Sequence, residues 1–368
     1  MGLLAPLRPR HRDTESIRFP IDQVRSDHKP GGAIGQRQIN ASGGRSCLAT
    51  AQGVVLPLTH NRDQRLGQPK GGVFMSSAGS RLRAAISDRP ILIPGVFNAL
   101  TAKMAARIGF RAGYLSGGAL AAGWAGVPDV GLLGMTEFAD QVAVLSRATD
   151  LPLLCDADTG FGEAIHVERT VRLYEQAGAA GLHLEDQVMP KRCGHLTGKG
   201  VVATEVMAAK VRAAVAARRD PDFVIVARTD ARSVEGFDAA VDRAKCYVDA
   251  GADWIFPEAL ESLDEFARFS AAISVPLLAN LTEFGRGPLP SFDVLAGLGY
   301  RAALYPLTAF RVAMKAAEEA LGELFHQQTQ RGLIPRMQTR AELYELLGYD
   351  DYDQRDQLYF GGPAAPDA

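Results

Sequence analysis

Two short stretches of the sequence carry residues that could do chemistry. In the first, "CDADTGFG", Asp156 and Asp158 stand two positions apart at the end of an apolar run. Alternate residues of a strand point to the same face, so the two carboxylates are predicted to share a face. Oxygen ligands suit Mg²⁺ or Mn²⁺, and few protein ligands leave positions for water and a chelating substrate. The pair predicts a divalent metal site; a cap for the next helix is the alternative for one of them.

The second stretch is "PKRCGH", in which Cys193 stands among cationic residues. Lys191, Arg192 and His195 favour the thiolate form of the cysteine. A thiol that exchanges its proton readily suits general acid–base catalysis, and a position in a loop suits closure over a substrate. The alternatives are a metal ligand or a buried thiol without a chemical role.

Other polar side chains follow further apolar runs. In "HLED", Glu185 is expected to bind the waters of the metal, while His183 is either a site residue or a core histidine. Arg228 and Arg311 could be surface charges, but Arg228 stands inside "VIVARTD", so its planar guanidinium group is expected to point into the site and to bind a carboxylate. Further hydrogen-bonding groups follow later runs: Glu258 and Asn280. Together these groups predict a site for a small polycarboxylate, where a metal would stabilise an enolate.

The elements that must position these residues alternate regularly from Ile91 onward. Eight short, nearly continuous apolar runs are typical of parallel strands covered on both faces. Eight strands alternating with helices over about 250 residues predict a (β/α)₈ barrel of the TIM type, with a doubly wound sheet as the alternative. In such a barrel the strand ends meet at one face. Several helical patterns end in predicted left-handed C-caps: Gly109, Gly178, Gly251 and Gly299.

The composition of the 368-residue chain limits the classes of function. A formal charge of −2 argues against nucleic acid as a partner, because such partners require a clustered basic face. No run of about 18 apolar residues is present, so no membrane partner is predicted. Four widely spaced cysteines without a CxxC pair fit a reducing compartment, and we predict the cytoplasm.

Residues 1–74 differ from the rest of the chain. They are rich in Arg, Gly, Pro and Gln and show little apolar periodicity. Such a segment cannot offset its ordering entropy by burial, so we predict a disordered extension. Either it lies upstream of a working start at Met75, or it is a transit peptide, which alone would imply the mitochondrial matrix. Residues 75–368 are predicted to form a single domain with a C-terminal helical segment from about 310.

The order of several motifs resembles a known family. "KRCGH" is similar to the signature of the isocitrate lyase and phosphoenolpyruvate mutase superfamily, and the sequence from Ile91 to Tyr349 resembles its 2-methylisocitrate lyases. The motifs that carry this resemblance are "YLSGG", "VPDVG", "DADTGFG", "AAGLHLEDQ", "KRCGHLTGK", "DPDFVIVARTD", "FPEA", "ANLTEFG", "ALYPLTAFR" and "MQTRAELYELLGY". Residues 1–74 have no part in it.

The resemblance implies a Mg²⁺-dependent carbon–carbon lyase that cleaves 2-methylisocitrate, a small tricarboxylate of the methylcitrate route of propionate consumption, to pyruvate and succinate. Asp156 and Asp158 would hold the metal, and Cys193, tuned by Lys191 and His195, would protonate the succinate carbanion. Residues implied to bind the substrate are Ser116, Gly117, Gly118, Cys193, Gly194, Arg228, Glu258, Asn280, Thr282, Arg311 and Arg340, with Asp129 as a nearby polar support. The family also implies a homotetramer whose C-terminal helices swap between neighbouring barrels.

Departures from the family pattern leave alternatives for the substrate. "HLTGK" after the cysteine is closer to isocitrate lyase, and Trp124 in "GWAGVPD" is bulkier than the pattern. Against this, "FPEA" stands where isocitrate lyases carry Trp-Cys-Glu. Isocitrate lyase and 2,3-dimethylmalate lyase activities are therefore the alternatives. A non-catalytic metabolite-binding barrel is the alternative of a different class.

Overall fold

The computed structural model describes residues 76–194 and 198–360. Within them, eight strands alternate with helices in the order predicted from the sequence. The strands are β1 (Ile91–Pro94), β2 (Gly113–Leu115), β3 (Leu153–Asp156), β4 (Gly181–Glu185), β5 (Val224–Thr229), β6 (Trp254–Pro257), β7 (Leu278–Asn280) and β8 (Ala302–Tyr305). The extension predicted for residues 1–74 and the predicted site residue His195 lie outside the described residues.

Helices connect the strands and continue the chain after the last of them. They are α1 (Ala78–Asp88), α2 (Ala99–Ile108), α3 (Gly117–Leu120), α4 (Met135–Ala148), α5 (Ala164–Ala177), α6 (Thr204–Ala217), α7 (Phe237–Asp249), α8 (Leu263–Ala272), α9 (Phe292–Gly297), α10 (Thr308–Gln327), α11 (Arg340–Leu347) and α12 (Tyr349–Tyr359). A π-helical turn, Ala121–Ala125, follows α3, and 3₁₀ turns follow β5 and α10 at Ala231–Ser233 and Arg331–Arg336. None of the described helices is long and apolar enough to cross a membrane.

The strands pair in parallel, and their order closes a ring. Strands β2 to β6 form one sheet in sequence order, while β1, β8 and β7 form a second sheet. Isolated parallel bridges join the two sheets at both seams, one between Gly95 and Tyr114 and the other between Ile255 and Leu277. Each strand therefore neighbours the next one, and β8 pairs with β1. The predicted (β/α)₈ barrel is confirmed, and the open doubly wound sheet is wrong.

Alternate residues of the strands divide the apolar core in two. Val226 and Trp254 belong to the cluster inside the barrel, while Ile225 belongs to the cluster between the barrel and its helices. Strands β4 and β5 are buried along their whole lengths, which explains their nearly continuous apolar sequences. Leu82 of α1 joins the inner cluster, so this helix covers the N-terminal end of the barrel.

Local signals set several helix ends. Gly109 and Gly178 end α2 and α5 with φ of 103° and 96°, as predicted. Glycine adopts this left-handed conformation without steric cost. Gly251 and Gly299 also have positive φ, but each stands one position beyond the C-cap residue of its helix. In all four places the chain turns sharply towards the next strand.

After β8 the chain forms three further helices that leave apolar side chains in solvent. Helices α10 and α12 have no buried residue, and α11 packs on α2 with Leu346 as its buried residue. Leu321, Phe325 and Phe360 are among the large apolar side chains exposed here. An apolar surface of this kind is typical of an interaction site.

Candidate active site

A cavity opens at the carboxyl ends of the barrel strands, the face on which barrels of this type carry their sites. Most of the residues predicted for the site line it: Ser116, Gly118, Asp129, Asp156, Glu185, Lys191, Cys193, Gly194, Arg228, Glu258, Asn280 and Thr282. Gly117, Asp158 and His183 lie behind this wall, in contact with Asp156. The barrel thus brings together residues that are more than 160 positions apart, from Ser116 to Thr282.

Asp156, the last residue of β3, is held by several neighbours. Its Oδ2 accepts hydrogen bonds from the backbone N–H of Gly117 at 3.0 Å and from the hydroxyl of Tyr114 at 3.3 Å. Burial raises the pKa of this carboxyl, but the charges of Lys191 and Arg228 and the hydrogen bond from the Asp158 backbone outweigh burial and lower the pKa to about 2. Asp156 is therefore an ionised carboxylate at neutral pH.

A turn places Asp158 beside Asp156, which corrects the predicted position of both aspartates on one strand. Strand β3 ends at Asp156, and Asp158 lies beyond it with φ of 44°, in the left-handed region. Its backbone N–H donates to Asp156 Oδ1 at 3.0 Å, so the first aspartate fixes the turn that carries the second. Burial and the neighbouring Asp156 charge raise the pKa of Asp158 to about 7. The two carboxylates lie close together, as predicted, for a different geometric reason.

Lys191 is a buried cation among carboxylates. Its Nζ lies 2.7 Å from Asp158 Oδ1 and also contacts Asp129. Burial lowers the pKa of a lysine, but Glu185, Asp158 and other acids outweigh it and raise the pKa of Lys191 above its ordinary value. The sequence predicts that this charge acts on Cys193, whereas the structure pairs it with the carboxylates of Asp129 and Asp158.

Glu185 ends β4 beside the aspartates, and burial raises its pKa well above the ordinary value. Its Oε2 lies 3.2 Å from Arg228 Nη1. Its buried Oε1 has no hydrogen-bond partner among the described residues. A buried acceptor without a partner is costly, so this oxygen is suited to a ligand or an ordered water.

His183 supports Asp156 from behind the cavity wall. Its Nε2 lies 2.8 Å from the Tyr114 hydroxyl, and its ring packs between those of Tyr114 and Phe256. Burial lowers the pKa of His183 to about 4, so the imidazole is neutral at pH 7. Of the two interpretations that the sequence left open, the structure favours the core histidine.

Arg228, near the end of β5, presents a buried guanidinium group to the cavity. Its Nε and Nη2 lie 3.0 and 3.1 Å from the two carboxylate oxygens of Asp230. Glu185 and Glu258 also lie within ion-pair distance. Although burial lowers the pKa of an arginine, these acids raise it well above its ordinary value, so the charge is permanent. The guanidinium also lies 5.2 Å from the centre of the Phe256 ring, which supports its plane.

The cysteine segment, residues 192–194, is held by the side chain of Gln187. Gln187 Nε2 donates to the carbonyl of Arg192 at 2.8 Å, and the backbone N–H of Arg192 donates to Gln187 Oε1 at 2.9 Å. Cys193 itself is half-buried and lines the cavity. The thiol is therefore accessible from the cavity, as a proton donor to a substrate must be.

Gly194 brings the backbone of this segment against two side chains of the site. A Cβ atom on Gly194 would lie 2.5 Å from Arg228 Nη2 and would overlap Glu258 Oε1. Only glycine permits so close an approach. Glu258 also contacts Asn280, whose Nδ2 lies 3.2 Å from Glu258 Oε2. The cysteine segment, the arginine and these two polar residues thus form one side of the cavity.

Known proteins resemble the chain over most of its length. A family model described as phosphoenolpyruvate phosphomutase matches residues 82–325. A 2-methylisocitrate lyase of Aeropyrum pernix is 51% identical over 279 residues, which cover 76% of this chain and 90% of that protein. A 2-methylisocitrate lyase of Escherichia coli K12 is 48% identical over 288 residues, covering 77% of this chain and 98% of that protein. The chain belongs to the phosphoenolpyruvate mutase and isocitrate lyase superfamily.

Solved members of this superfamily share the fold. A 2,3-dimethylmalate lyase gives a TM-score of 0.73 at 34% identity and covers 80% of this chain and 100% of that chain. A phosphonopyruvate hydrolase in complex with oxalate and Mg²⁺ gives a TM-score of 0.71 at 30% identity, covering 77% of this chain and 100% of that chain. The resemblance seen in the sequence is confirmed, and the chain is a carbon–carbon lyase of this superfamily.

Two arginines that the superfamily pattern implies do not reach the cavity in this single chain. Arg311, on α10, is exposed, and its Nε lies 3.6 Å from Glu283 Oε2. Arg340 is the first residue of α11 and is exposed. Their role in substrate binding stays a prediction.

Several residues of the cavity wall are not predicted from the sequence. Tyr114 lies two positions before Ser116, so alternation along the strand could have placed its side chain on the same side. In the sequence, apolar side chains at strand ends cannot be distinguished from residues of the hydrophobic core. The other residues of the wall are of this kind: Phe256, Leu304, Pro306 and Leu307.

Proposed function

We propose that the protein cleaves 2-methylisocitrate to pyruvate and succinate in a reaction that depends on Mg²⁺. The observation that carries this proposal is one cavity lined both by Asp156 and by Cys193, whose neighbour Gly194 packs against Arg228 and Glu258. A lyase of this kind needs carboxylates for a metal near one half of the substrate and a proton donor near the other half. The relatives at 51% and 48% identity are named 2-methylisocitrate lyases, which supports this substrate.

Asp156 and Asp158 would hold the metal, and Glu185 would bind its waters. The donors are all carboxylate oxygens, which suits Mg²⁺, with Mn²⁺ as the alternative. A cation of this kind keeps several waters beside a few protein ligands. The unpaired Glu185 Oε1 is suited to such a water. When bound, Mg²⁺ would supply Lewis-acid stabilisation of the substrate hydroxyl oxygen as it loses its proton.

Cys193 is the residue that we assign to protonation of the carbanion. Cleavage begins when the substrate hydroxyl loses its proton; the carbon–carbon bond then breaks, and its electron pair stays on the carbon that becomes part of succinate. The S–H group of Cys193 donates a proton to this carbon, and the thiolate regains a proton from solvent. Arg228, Asn280 and Thr282 would bind the carboxylates of the succinate half, because a guanidinium fork and hydrogen-bond donors match these groups.

An apolar part of the cavity wall supports a methylated substrate. Phe256, Leu304 and Pro306 line the cavity without offering a side-chain hydrogen bond, which fits the methyl group that distinguishes 2-methylisocitrate from isocitrate. Trp124 is 54% exposed and is not part of the wall, so its bulk does not limit the substrate. 2,3-Dimethylmalate is the alternative that the fold comparison favours, because one structural neighbour is a 2,3-dimethylmalate lyase.

Asp158→Asn is expected to raise the Mg²⁺ concentration for half-maximal activity by about tenfold, since loss of one carboxylate weakens a hard-cation site. The enzyme is freed of metal with EDTA, and Mg²⁺ is titrated while released pyruvate is followed by a coupled dehydrogenase assay. Asp242→Asn, at an exposed aspartate of α7, serves as the matched control. Full activity in EDTA, or an unchanged Mg²⁺ requirement in the Asp158 variant, would contradict the assignment.

The quaternary structure that we propose is a homotetramer whose C-terminal helices pack on neighbouring barrels. The exposed apolar side chains of α10 and α12 support it, because a monomer rarely leaves so many in water. Light scattering on the full chain should give about four times the 39.4 kDa of one chain. A single-chain mass at micromolar concentration would contradict it.

The compartment that we propose is the cytoplasm, where the Cys193 thiol stays reduced.

A further inference from the structure

Lys199 is a buried cation that lies beside the site, and the proposed reaction assigns it no role. Its side chain is 2% exposed, its ammonium group donates to the carbonyl of Gly194, and its Nζ lies 2.7 Å from Asp230 Oδ1. Asp230 is itself fully buried. Burial of an ammonium group is unfavourable unless it is paired, so these two acceptors hold Lys199 in a defined position.

The backbone around Lys199 is tied to the base of the cysteine segment. Gln187 forms an isolated antiparallel bridge with Val201, two residues after Lys199. The same Gln187 holds the backbone of Arg192 through its side chain. The backbone around Lys199 is therefore fixed, and its side chain reaches Gly194, the residue that follows Cys193.

Asp230 connects Lys199 to the substrate-binding arginine. Both carboxylate oxygens of Asp230 accept from Arg228, at 3.0 and 3.1 Å, which fixes the plane of the guanidinium group. The backbone of Gly194 packs against the same guanidinium group, where a Cβ atom would lie 2.5 Å from Nη2. Lys199 thus holds both partners of one contact: Gly194 directly, and Arg228 through Asp230.

We propose that Lys199 is a positioning residue, which fixes the Gly194 carbonyl, and with it the Cys193 thiol, relative to Arg228. This inference rests on the proposed lyase function of the cavity. Lys199 does not line the cavity, so it acts through its neighbours and not on the substrate. Loss of its ammonium group leaves the Asp230–Arg228 pair in place but removes the donor from the Gly194 carbonyl. A displacement of a catalytic group by about 1 Å can lower a rate by about 100-fold.

The first test compares three variants by steady-state kinetics. Lys199→Met keeps the apolar stem but removes the donors, Lys199→Arg keeps charge and donors, and Lys245→Met changes an exposed lysine of α7 as the control. For Lys199→Met we expect kcat with 2-methylisocitrate to fall by about 100-fold while KM changes by less than about threefold. Lys199→Arg should recover kcat to within about tenfold of the wild type, and the control should be unchanged. Lys199→Leu, which also lacks a donor, carries the same expectation as Lys199→Met if the latter does not fold.

The second test measures the position of the thiol without turnover. Each variant is treated with iodoacetamide, and alkylation of the Cys193 peptide is followed by mass spectrometry, with exposed Cys246 as the internal reference. We expect faster alkylation of Cys193 in Lys199→Met and an unchanged rate at Cys246. Unchanged alkylation overturns the proposal, whether or not kcat falls, and so does unchanged kcat. If the wild type does not cleave 2-methylisocitrate, the proposed function fails, while the alkylation rates still decide whether Lys199 holds the thiol.

Discussion

Replacing Cys193 with serine is expected to lower kcat for 2-methylisocitrate cleavage by about 10³-fold, within the range typical for loss of a general acid. Serine has nearly the size of cysteine, but its hydroxyl gives up a proton far less readily than a thiol. Cys193 lies beside Arg228 and Gly194 and is not assigned to the metal, so KM should change by less than about threefold. Steady-state kinetics at saturating Mg²⁺ measure both constants.

The control for this variant is Cys246→Ser, which alters an exposed thiol on α7 and should leave kcat unchanged. Calorimetry with succinate shows whether the Cys193→Ser enzyme still binds a product. A kcat within tenfold of the wild type would contradict the role of Cys193 as proton donor. Loss of succinate binding would show that the thiol serves binding in place of chemistry.

The second large effect is expected for Arg228→Met, which removes a buried charge from between three carboxylates. Asp230, Glu185 and Glu258 lie around the guanidinium group at distances of 3.0, 3.2 and 3.7 Å. Breaking a buried ion pair by removing one partner costs about 3 to 5 kcal/mol, because the remaining buried charges lose the partner that offset their desolvation. We therefore expect the free energy of unfolding to fall by about this amount and kcat/KM to fall by about 100-fold or more.

Urea unfolding followed by circular dichroism measures the stability of this variant. Arg232→Met is the matched control, because Arg232 pairs with Glu261 and Glu265 nearer the surface, where an ion pair contributes about 1 kcal/mol or less. Equal destabilisation by the two variants would contradict the buried-charge account of Arg228. Unchanged kcat/KM in Arg228→Met would contradict the role of Arg228 in substrate binding.

The barrel could be predicted from the sequence because burial on both faces leaves a visible pattern. Strands β4 and β5 are buried at every position, and their apolar runs end in the polar residues Glu185 and Arg228. Glycines at helix ends, such as Gly109, mark where each helix stops before the next strand. These signals are local, so they can be read from the sequence without knowledge of the tertiary structure.

The partners of the site residues could not be predicted, because they depend on contacts between distant parts of the chain. Lys191 is adjacent to the cysteine segment in sequence, yet its ammonium group pairs with Asp129 and Asp158. The turn that carries Asp158 depends on a hydrogen bond to Asp156 that strand periodicity does not reveal. Lys199 stands within the motif "KRCGHLTGK", but nothing in its spacing indicates that it reaches Gly194.

The most direct test of the central proposal is a comparison of kcat/KM for 2-methylisocitrate, isocitrate and 2,3-dimethylmalate with the same enzyme preparation and Mg²⁺ concentration. We predict the highest value for 2-methylisocitrate, with pyruvate and succinate released in equal amounts, because the apolar wall of Phe256, Leu304 and Pro306 fits its methyl group. One methyl group in an apolar pocket is worth about 10- to 200-fold in discrimination, which this assay resolves easily. A clearly higher kcat/KM for either of the other two acids would contradict the proposed substrate.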